Sequence, residues 1–310
     1  MRDNVNTVGF SSAAFEITRR CNLACEHCIR GEAQNMDMSP EVIDRFYDGI
    51  SELQEIIFTG GEPLLNIEGM DYVISQSIRR NFPLYSLIFT TNGTIFNSDV
   101  RYYLERWAFY IKSCHVRRGT DYKGRVKICV SCDGWHDRQL ALLGKKERSN
   151  DLYSRFYEYF HYLDDVYDVI IADDGNEPIN LGRAKKLLTG KSVDIDENNI
   201  THKLCLIGKY QDACFTVKNG FEKEIYPEKA DALVNCMVWL LCDGRLVARG
   251  NMPYDYAYND IICNVSTSHD IFTDVIAYNS RIPKNRLCSS DAFWVYCGKI
   301  ANSATNPVAK

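Results

Sequence analysis

Three cysteines stand within eight residues near the start of the chain, at Cys21, Cys25 and Cys28. Cysteine thiolates are the usual protein ligands of iron–sulfur clusters. Three thiolates, rather than four, can hold a four-iron cubane and leave one iron open to a further molecule. The triplet follows a short apolar run, Ala13–Thr18, and precedes a helix start at Pro40. The spacing therefore indicates a metal-binding loop at the carboxyl end of a strand.

The cysteine count, the N-terminal residues and the net charge indicate the cellular compartment of the protein and the classes of partner it is expected to bind. Thirteen cysteines in 310 residues is a high count, but residues 1–7 are polar and lack the apolar core of a signal peptide. No run of about 18 apolar residues is available for a membrane span. We therefore expect a cytoplasmic protein, in which clustered cysteines more often bind metal than form disulfides. A net charge of −5 gives no basic surface for nucleic acid or an anionic membrane, and we expect neither as a partner.

Short β-rich runs alternate with stretches of helical period along most of the chain. The helical stripes lie in Pro40–Leu53, in 98–111 and between Leu152 and Leu163. Such alternation implies a parallel sheet, and six units are too few for an eight-fold barrel. The pattern therefore predicts an α/β fold, a partial (βα)6 TIM barrel. The six predicted strands are Ala13–Thr18, Glu55–Thr59, Leu84–Thr90, Lys127–Ser131, Val166–Ala172 and Ala213–Val217.

The composition changes near residues 219–231. Beyond that point, Met237–Ala248 is predicted to form a β-hairpin around the dipeptide Asp243-Gly244. We therefore expect two domains: the partial barrel over residues 1–219 and a small C-terminal α+β extension over residues 220–310.

Polar residues follow three of the predicted strands. Gly60, Gly61 and Glu62 follow the second strand, where glycines allow a ligand to approach the backbone and the glutamate offers an acceptor to a cation. Asn92 follows the third strand. Because the carboxyl ends of parallel strands share one rim of a barrel, these residues should lie beside the cysteine loop.

The fourth predicted strand ends in a hydroxyl and a carboxylate. Ser131 and Asp133 are two residues apart and are therefore expected on one face, with Cys132 on the other. A hydroxyl beside a carboxylate suits the diol of a ribose. His136 follows closely and is a further candidate site residue.

Taken together, these motifs resemble the radical S-adenosylmethionine superfamily over about residues 12–217. The resemblance implies that Cys21, Cys25 and Cys28 hold one 4Fe–4S cluster, whose open iron binds S-adenosylmethionine. It further implies that the following residues contact that cosubstrate: Gly60, Gly61 and Glu62 at the methionyl amino group, Ser131 and Asp133 at the ribose, Asn92 as a polar neighbour, His27 near the adenine, and Arg183 in the Gly-Arg-Ala sequence 182–184.

The resemblance also implies an activity and its partners. The reduced cluster would cleave S-adenosylmethionine to a 5′-deoxyadenosyl radical, which abstracts hydrogen from a substrate. An electron donor such as a flavodoxin or ferredoxin is expected. No residue is assigned to the chemistry on the substrate itself.

The C-terminal cysteines resemble the SPASM or twitch extension, which in relatives binds auxiliary clusters. Arg249 stands where such relatives have a cysteine, so we expect a degenerate extension without clusters. Relatives with this extension often modify peptides during ribosomal peptide maturation, which favours a peptide substrate. The first predicted strand begins near residue 13, and this leaves no room for a preceding peptide-recognition module. The cysteines concerned are Cys236, Cys242, Cys263, Cys288 and Cys297.

Three alternatives remain open at this point. The first is radical chemistry on a small molecule, such as an amino acid, a sugar or a nucleotide. The second is a non-catalytic iron–sulfur carrier or scaffold, which has no need of Glu62, Ser131 and Asp133. The third is a structural zinc site, although zinc normally takes four ligands in two spaced pairs.

Several further cysteines are predicted to be small buried apolar residues, namely Cys114, Cys129, Cys132, Cys205 and Cys214.

Overall fold

A computed structural model describes residues 8–172, 182–183, 203–205, 214–216, 234–235, 237–248, 250, 252–258, 261–281 and 296–297. The predictions on Cys236, Arg249 and Cys288 fall outside these residues. Those on the side chains of Cys205, Cys214 and Cys297 also lie outside what the structure describes.

A parallel sheet forms the centre of the molecule. Its first five strands pair in chain order, each parallel to its neighbour. The predicted fold class, an α/β partial TIM barrel, is therefore confirmed, and five of the six predicted strands are in place. These strands are β1 (Val8–Thr18), β2 (Ile50–Gly60), β3 (Ser86–Thr91), β4 (Val126–Ser131) and β5 (Tyr167–Ala172).

Five helices connect these strands: α1 (Pro40–Asp48), α2 (Ile67–Arg79), α3 (Ser98–Arg118), α4 (Gly134–Leu142) and α5 (Ser149–Phe160), with a short 3-10 turn at Pro63–Asn66. The Ser39 side chain caps α1 by accepting a hydrogen bond from the amide of Val42. The prediction of a helix through Leu53 is wrong, because α1 ends before Gly49 and Ile50 already begins β2. Ile50 and Leu53 belong to β2, but their positions in the sequence continue the apolar spacing of the preceding helix.

The sixth parallel strand comes from the C-terminal part of the chain. β6 (Lys203–Cys205), β7 (Cys214–Thr216) and β8 (Val234–Asn235) form a separate three-stranded antiparallel sheet. The placement of Ala213–Val217 in the barrel is therefore wrong. Instead, β9 (Met237–Leu240) pairs in parallel with β1 on the side away from β2.

Further elements extend the same sheet beyond β9. β10 (Arg245–Val247) pairs antiparallel with β9, which confirms the predicted hairpin. β11 (Ile261–Asn264) adds to β10, and β12 (Tyr296–Cys297) pairs antiparallel with the start of β1. The last helix is α6 (Ile271–Arg281). The division at residue 219 stays a prediction.

The two faces of the sheet differ in character. Phe15, Phe58 and Phe89 align across β1, β2 and β3 and are buried against the helices. The alternate positions carry smaller or polar side chains on the opposite face, as at Glu16 and its cross-strand partner Thr59. Within the described residues, no helix combines the length and the apolar character required to cross a membrane.

Candidate active site

The three cysteines of the first loop come together beyond the end of β1. Cys25 is buried, and Cys21 and Cys28 are half-buried beside it. All three thiols are free, and they pack against the apolar side chains of Leu140 and Leu152. The loop thus presents three sulfurs at the carboxyl end of the sheet, as its position in the sequence predicted.

These thiols lie in surroundings that disfavour an isolated thiolate. Burial, together with negative charge on Cys21 and Cys28, raises the pKa of Cys25 to about 12. Burial likewise raises the pKa of Cys21 to about 11. A bound cationic metal would neutralise the mutual repulsion, because metal binding stabilises the deprotonated form of its ligands. The residues therefore fit a metal group held by three sulfurs.

The glycine pair after β2 runs alongside the start of the cysteine loop. The amide of Gly61 donates to the carbonyl oxygen of Thr18 at 2.9 Å, and the amide of Glu62 donates to that of Arg20 at 2.8 Å. A Cβ atom on Gly61 would lie only 2.1 Å from the Arg20 carbonyl oxygen. The close approach of these two segments therefore requires glycine at this position.

Glu62 is the most enclosed acidic residue of the site, with 1% of its surface exposed. Its carboxylate accepts hydrogen bonds from the hydroxyl of Thr91 at 2.8 Å and from the amides of Asn92 at 2.7 Å and Leu64 at 3.1 Å. Burial raises the pKa of Glu62, and these hydrogen bonds act in the opposite direction. A carboxylate has about four acceptor positions, so one remains for a ligand donor.

Asn92 joins this carboxylate to the cysteine loop. Besides its amide bond to Glu62, its side-chain Nδ2 donates to Oδ1 of Asn22 at 2.8 Å and lies 4.0 Å from Sγ of Cys21. Its own Oδ1 accepts from the amide and hydroxyl of Thr94. The predicted neighbour of the site is therefore present, but its side chain is engaged in holding the loop.

Asp133 lies at the end of β4 and caps α4. Its Oδ1 accepts from the amides of Trp135 and His136, and its Oδ2 lies 2.7 Å from Nδ1 of His136. Burial raises the pKa of Asp133, but the hydrogen bonds and charge of His136 outweigh burial and bring it to about 2. Sequence reasoning missed this capping role, although an aspartate directly before a helix is its usual signal.

The candidate adenine residue lies next to this pair. His27 Nε2 is 3.7 Å from Oδ2 of Asp133, and the His27 ring stacks on Trp135 with centroids 5.7 Å apart. One ligand atom from each of His27, Asp133 and His136 lies within 4.8 Å of the others. Ser131 is half-buried at the last position of β4, two residues before Asp133, and of the two predicted ribose residues it is Asp133 that the structure brings to His27.

The Gly-Arg pair at 182–183 packs onto the cysteine loop from a distant part of the chain. The Arg183 amide donates to the carbonyl oxygen of Cys28 at 3.0 Å, and its Nε donates to that of Cys25 at 2.8 Å. Gly182 has φ +53°, and a Cβ there would lie 2.4 Å from the carbonyl oxygen of Ile29. The structure therefore brings Arg183 to the cysteines, where it holds the backbone of the loop.

The protein-family model described as the radical SAM superfamily matches residues 15–118. This segment belongs to the radical SAM superfamily. It contains the cysteine loop, Gly60, Gly61, Glu62 and Asn92, whereas Ser131, Asp133 and Arg183 lie beyond the matched residues.

Curated relatives of this radical SAM segment match over part of their length. The chain is 28% identical over 121 residues to an uncharacterised protein of Methanocaldococcus jannaschii, covering 37% of this chain and 40% of that protein. It is 33% identical over 97 residues to an AdoMet-dependent heme synthase of Nitratidesulfovibrio vulgaris, covering 28% of this chain and 24% of the synthase. The matched region thus spans less than half the length of either relative.

Several solved structures are similar to the chain at low identity. The complex of anSMEcpe with AdoMet and the Cp18Cys peptide has 15% identity and a TM-score of 0.42, covering 91% of this chain and 82% of that one. BtrN in an open conformation has 14% identity and a TM-score of 0.38, covering 91% and 87%. SuiB of Streptococcus suis has 12% identity and a TM-score of 0.29, covering 77% and 60%.

Sequence reasoning missed a buried charged network behind the cysteine loop of the radical SAM domain. Arg19 Nε pairs with the Glu16 carboxylate at 2.6 Å, and Arg30 Nη1 lies 3.5 Å from the same carboxylate. All three side chains are almost completely buried. The signal was a glutamate among the apolar residues Ala13–Ile17 of β1, because a buried charge normally requires a partner.

The same network binds the segment that follows the C-terminal hairpin. Arg30 Nη1 donates to the carbonyl oxygens of Gly250 at 2.6 Å and Met252 at 3.2 Å, and Arg19 Nη2 donates to Asp243 at 3.0 Å. The amide of Tyr254 donates to the carbonyl oxygen of Arg30 at 3.0 Å. Asp243, Gly250, Met252 and Tyr254 are thereby held against the segment that carries the cysteines.

Proposed function

We propose that this protein is a radical S-adenosylmethionine enzyme whose single 4Fe–4S cluster is held by Cys21, Cys25 and Cys28. The observation that carries the proposal is the position of Asn92. Its amide donates to the buried Glu62 carboxylate at 2.7 Å, and its side chain reaches to 4.0 Å from Cys21. One residue thus connects the carboxylate expected to bind the cosubstrate amine with the loop expected to bind iron.

The number of thiols in the loop supports a cluster over a structural zinc ion. Structural zinc normally takes four protein ligands in a closed tetrahedral site. The loop offers three free thiols, those of Cys21, Cys25 and Cys28. Three sulfurs suit a four-iron cubane with one iron left open.

Cys21, Cys25 and Cys28 would hold a cluster that, when reduced, would supply the one electron needed to cleave a carbon–sulfur bond of S-adenosylmethionine, giving methionine and a 5′-deoxyadenosyl radical able to remove hydrogen from a substrate. The residues of this chain supply position. The free acceptor capacity of Glu62 would bind the methionyl ammonium, and Ser131, Asp133 and His27 would contact the adenosine. Burial of Glu62 limits water at the site, which protects so reactive an intermediate.

The proposal is tested by anaerobic reconstitution with iron and sulfide. We expect about four irons per chain, in line with one cubane, and conversion of S-adenosylmethionine to 5′-deoxyadenosine with dithionite. Cys25→Ala should lose the cluster and the product. Cys114→Ala is the matched control, because Cys114 is also a buried free cysteine but lies in α3. A wild type that binds the cluster but yields no product above Cys25→Ala would be a carrier, not an enzyme.

We also propose that the C-terminal cysteines hold no auxiliary cluster. Cys242 is buried, and its thiol donates to the backbone carbonyl oxygen of Glu16 at 2.7 Å. A count of about eight irons per chain would contradict this part of the proposal.

The class of substrate can be tested by transfer of hydrogen from the substrate to 5′-deoxyadenosine. This test distinguishes a peptide substrate from a small-molecule substrate. A deuterium abstracted from the substrate ends on the 5′ carbon of 5′-deoxyadenosine. Mass spectrometry of that product is therefore run with deuterated peptides and, separately, with deuterated amino acids, sugars and nucleotides. Transfer from peptides alone would assign the protein to peptide modification. A flavodoxin or ferredoxin is expected to replace dithionite.

A further inference from the structure

Tyr254 has a buried phenolic hydroxyl that the fold leaves without a hydrogen bond. The residue is 7% exposed, and its oxygen has no partner within the described part of the chain. An unsatisfied buried hydroxyl costs on the order of 1–3 kcal/mol, and such groups are rare unless a ligand completes them. The hydroxyl therefore indicates an absent acceptor.

The ring of Tyr254 is fixed firmly in place. Its backbone amide donates to the carbonyl oxygen of Arg30 at 3.0 Å, two residues after Cys28. The guanidinium carbons of Arg19 and Arg30 lie 5.2 and 6.0 Å from the ring centroid. These contacts tie the phenol to the segment that leaves the cysteine loop, so the hydroxyl has little freedom to seek another partner.

Charges of the cysteine loop act on this hydroxyl. Burial raises the pKa of Tyr254, Arg30 opposes that effect, and negative charge on Glu16, Cys28 and Cys21 raises the pKa further. Two cluster cysteines thus lie within electrostatic reach of the phenol. Glu16 is already engaged by Arg19 and Arg30, which leaves the sulfur-rich site as the uncompensated neighbour.

We propose that Tyr254 is a positioning residue of the iron–sulfur site, donating its phenolic hydrogen bond to a sulfur of the cluster beside Cys21 and Cys28. The inference rests on the proposed function. It assigns a function to the C-terminal part of the chain. Tyr254 lies outside the matched radical SAM segment, and its amide bond to Arg30 holds it beside the cysteine loop. Hydrogen bonds to cluster sulfur stabilise the more negative, reduced state and so raise the reduction potential.

The test is a potentiometric titration of the reconstituted Tyr254→Phe variant without S-adenosylmethionine. We expect four irons as in wild type, a more negative midpoint potential and altered g-values in the electron paramagnetic resonance spectrum of the reduced cluster. Tyr256→Phe is the matched control, since Tyr256 lies two residues away and is 37% exposed. Its potential should equal that of wild type.

A second measurement separates this role from a structural one. In the cluster-free protein, Tyr254→Phe should unfold at the same or a higher urea concentration than wild type, because it removes an unsatisfied hydroxyl. A clear loss of cluster-free stability would show a structural hydrogen bond and overturn the inference.

Three further outcomes would overturn either the inference or the proposed function. A midpoint potential and spectrum identical to wild type would overturn the inference while leaving the proposed function intact, as would weaker binding of S-adenosylmethionine with an unchanged potential. Failure of the wild type to bind iron would instead overturn the proposed function.

Discussion

Nε of Arg183 lies 2.8 Å from the backbone carbonyl oxygen of Cys25. The Arg183 amide also bonds to the carbonyl oxygen of Cys28, so one residue from beyond β5 fixes the backbone at two of the three cysteines of the loop. Groups that orient metal ligands in this way are nearly as important as the ligands themselves.

Arg183→Met should therefore weaken retention of the cluster. The variant keeps the backbone bond to Cys28 but loses the guanidinium donor to Cys25, and we expect a roughly tenfold faster loss of iron to a chelator. Absorbance of the reconstituted protein at visible wavelengths follows the loss. Arg138→Met is the control, because Arg138 pairs with Glu26 on the exposed side of the same loop. Equal rates for both variants would exclude this role of Arg183.

Glu62→Gln should weaken binding of S-adenosylmethionine. Exchanging the carboxylate for an amide removes the charge that would bind an ammonium and sets an NH2 group against the amide of Asn92. A hydrogen bond to a charged group contributes about 1.5–3 kcal/mol, so we expect a roughly tenfold or greater rise in Kd by equilibrium dialysis. Glu68→Gln, on the exposed side of α2, should bind as wild type does. Iron content should stay unchanged in both variants.

Asp133 should contribute stability that depends on pH. Its pKa is lowered from 3.8 to about 2 in the folded protein, because the bonds from His136 outweigh burial. The stabilisation is therefore fully present above the unfolded value and is lost as the pH falls through the folded value. It corresponds to about 2 kcal/mol at neutral pH. Urea denaturation of Asp133→Asn against wild type should show a gap that narrows by roughly 1 kcal/mol between pH 5 and 3. A gap independent of pH would contradict the assignment.

Arg30→Met should destabilise the fold strongly. Arg30 is 5% exposed, and its loss would leave the Glu16 carboxylate and the carbonyl oxygens of Gly250 and Met252 without a shared donor. Removing one member of a buried ion pair costs about 3–5 kcal/mol. Lys123→Met breaks the exposed pair with Asp165 and should cost less than about 1 kcal/mol. Urea denaturation of the cluster-free proteins compares the two, and similar losses would refute the importance of the buried network.

The sequence by itself determined the local features of the site. Two motifs of the site could be recognised in the sequence because each lies within a few residues of a strand end. They are the spacing of Cys21, Cys25 and Cys28 and the glycine pair before Glu62. The five parallel strands could likewise be predicted, because apolar β-rich runs separated by helical stripes are compatible with few folds other than a parallel sheet. Strand alternation also places Glu16 on the face opposite Phe15. The burial of Glu16, however, is explained only by its ion pairs with Arg19 and Arg30.

Only the tertiary structure decided which distant segments meet. β9, and not the predicted strand at 213–217, is the sixth parallel strand of the sheet and pairs with β1. The sequence could not show this, because a short apolar run does not indicate which strand it pairs with. Tyr254 reaches the segment after the cysteine loop through a backbone hydrogen bond, which any residue type can make and which therefore leaves no pattern in the sequence. The sequence specifies ligands and local turns, whereas long-range packing decides which side chains surround them.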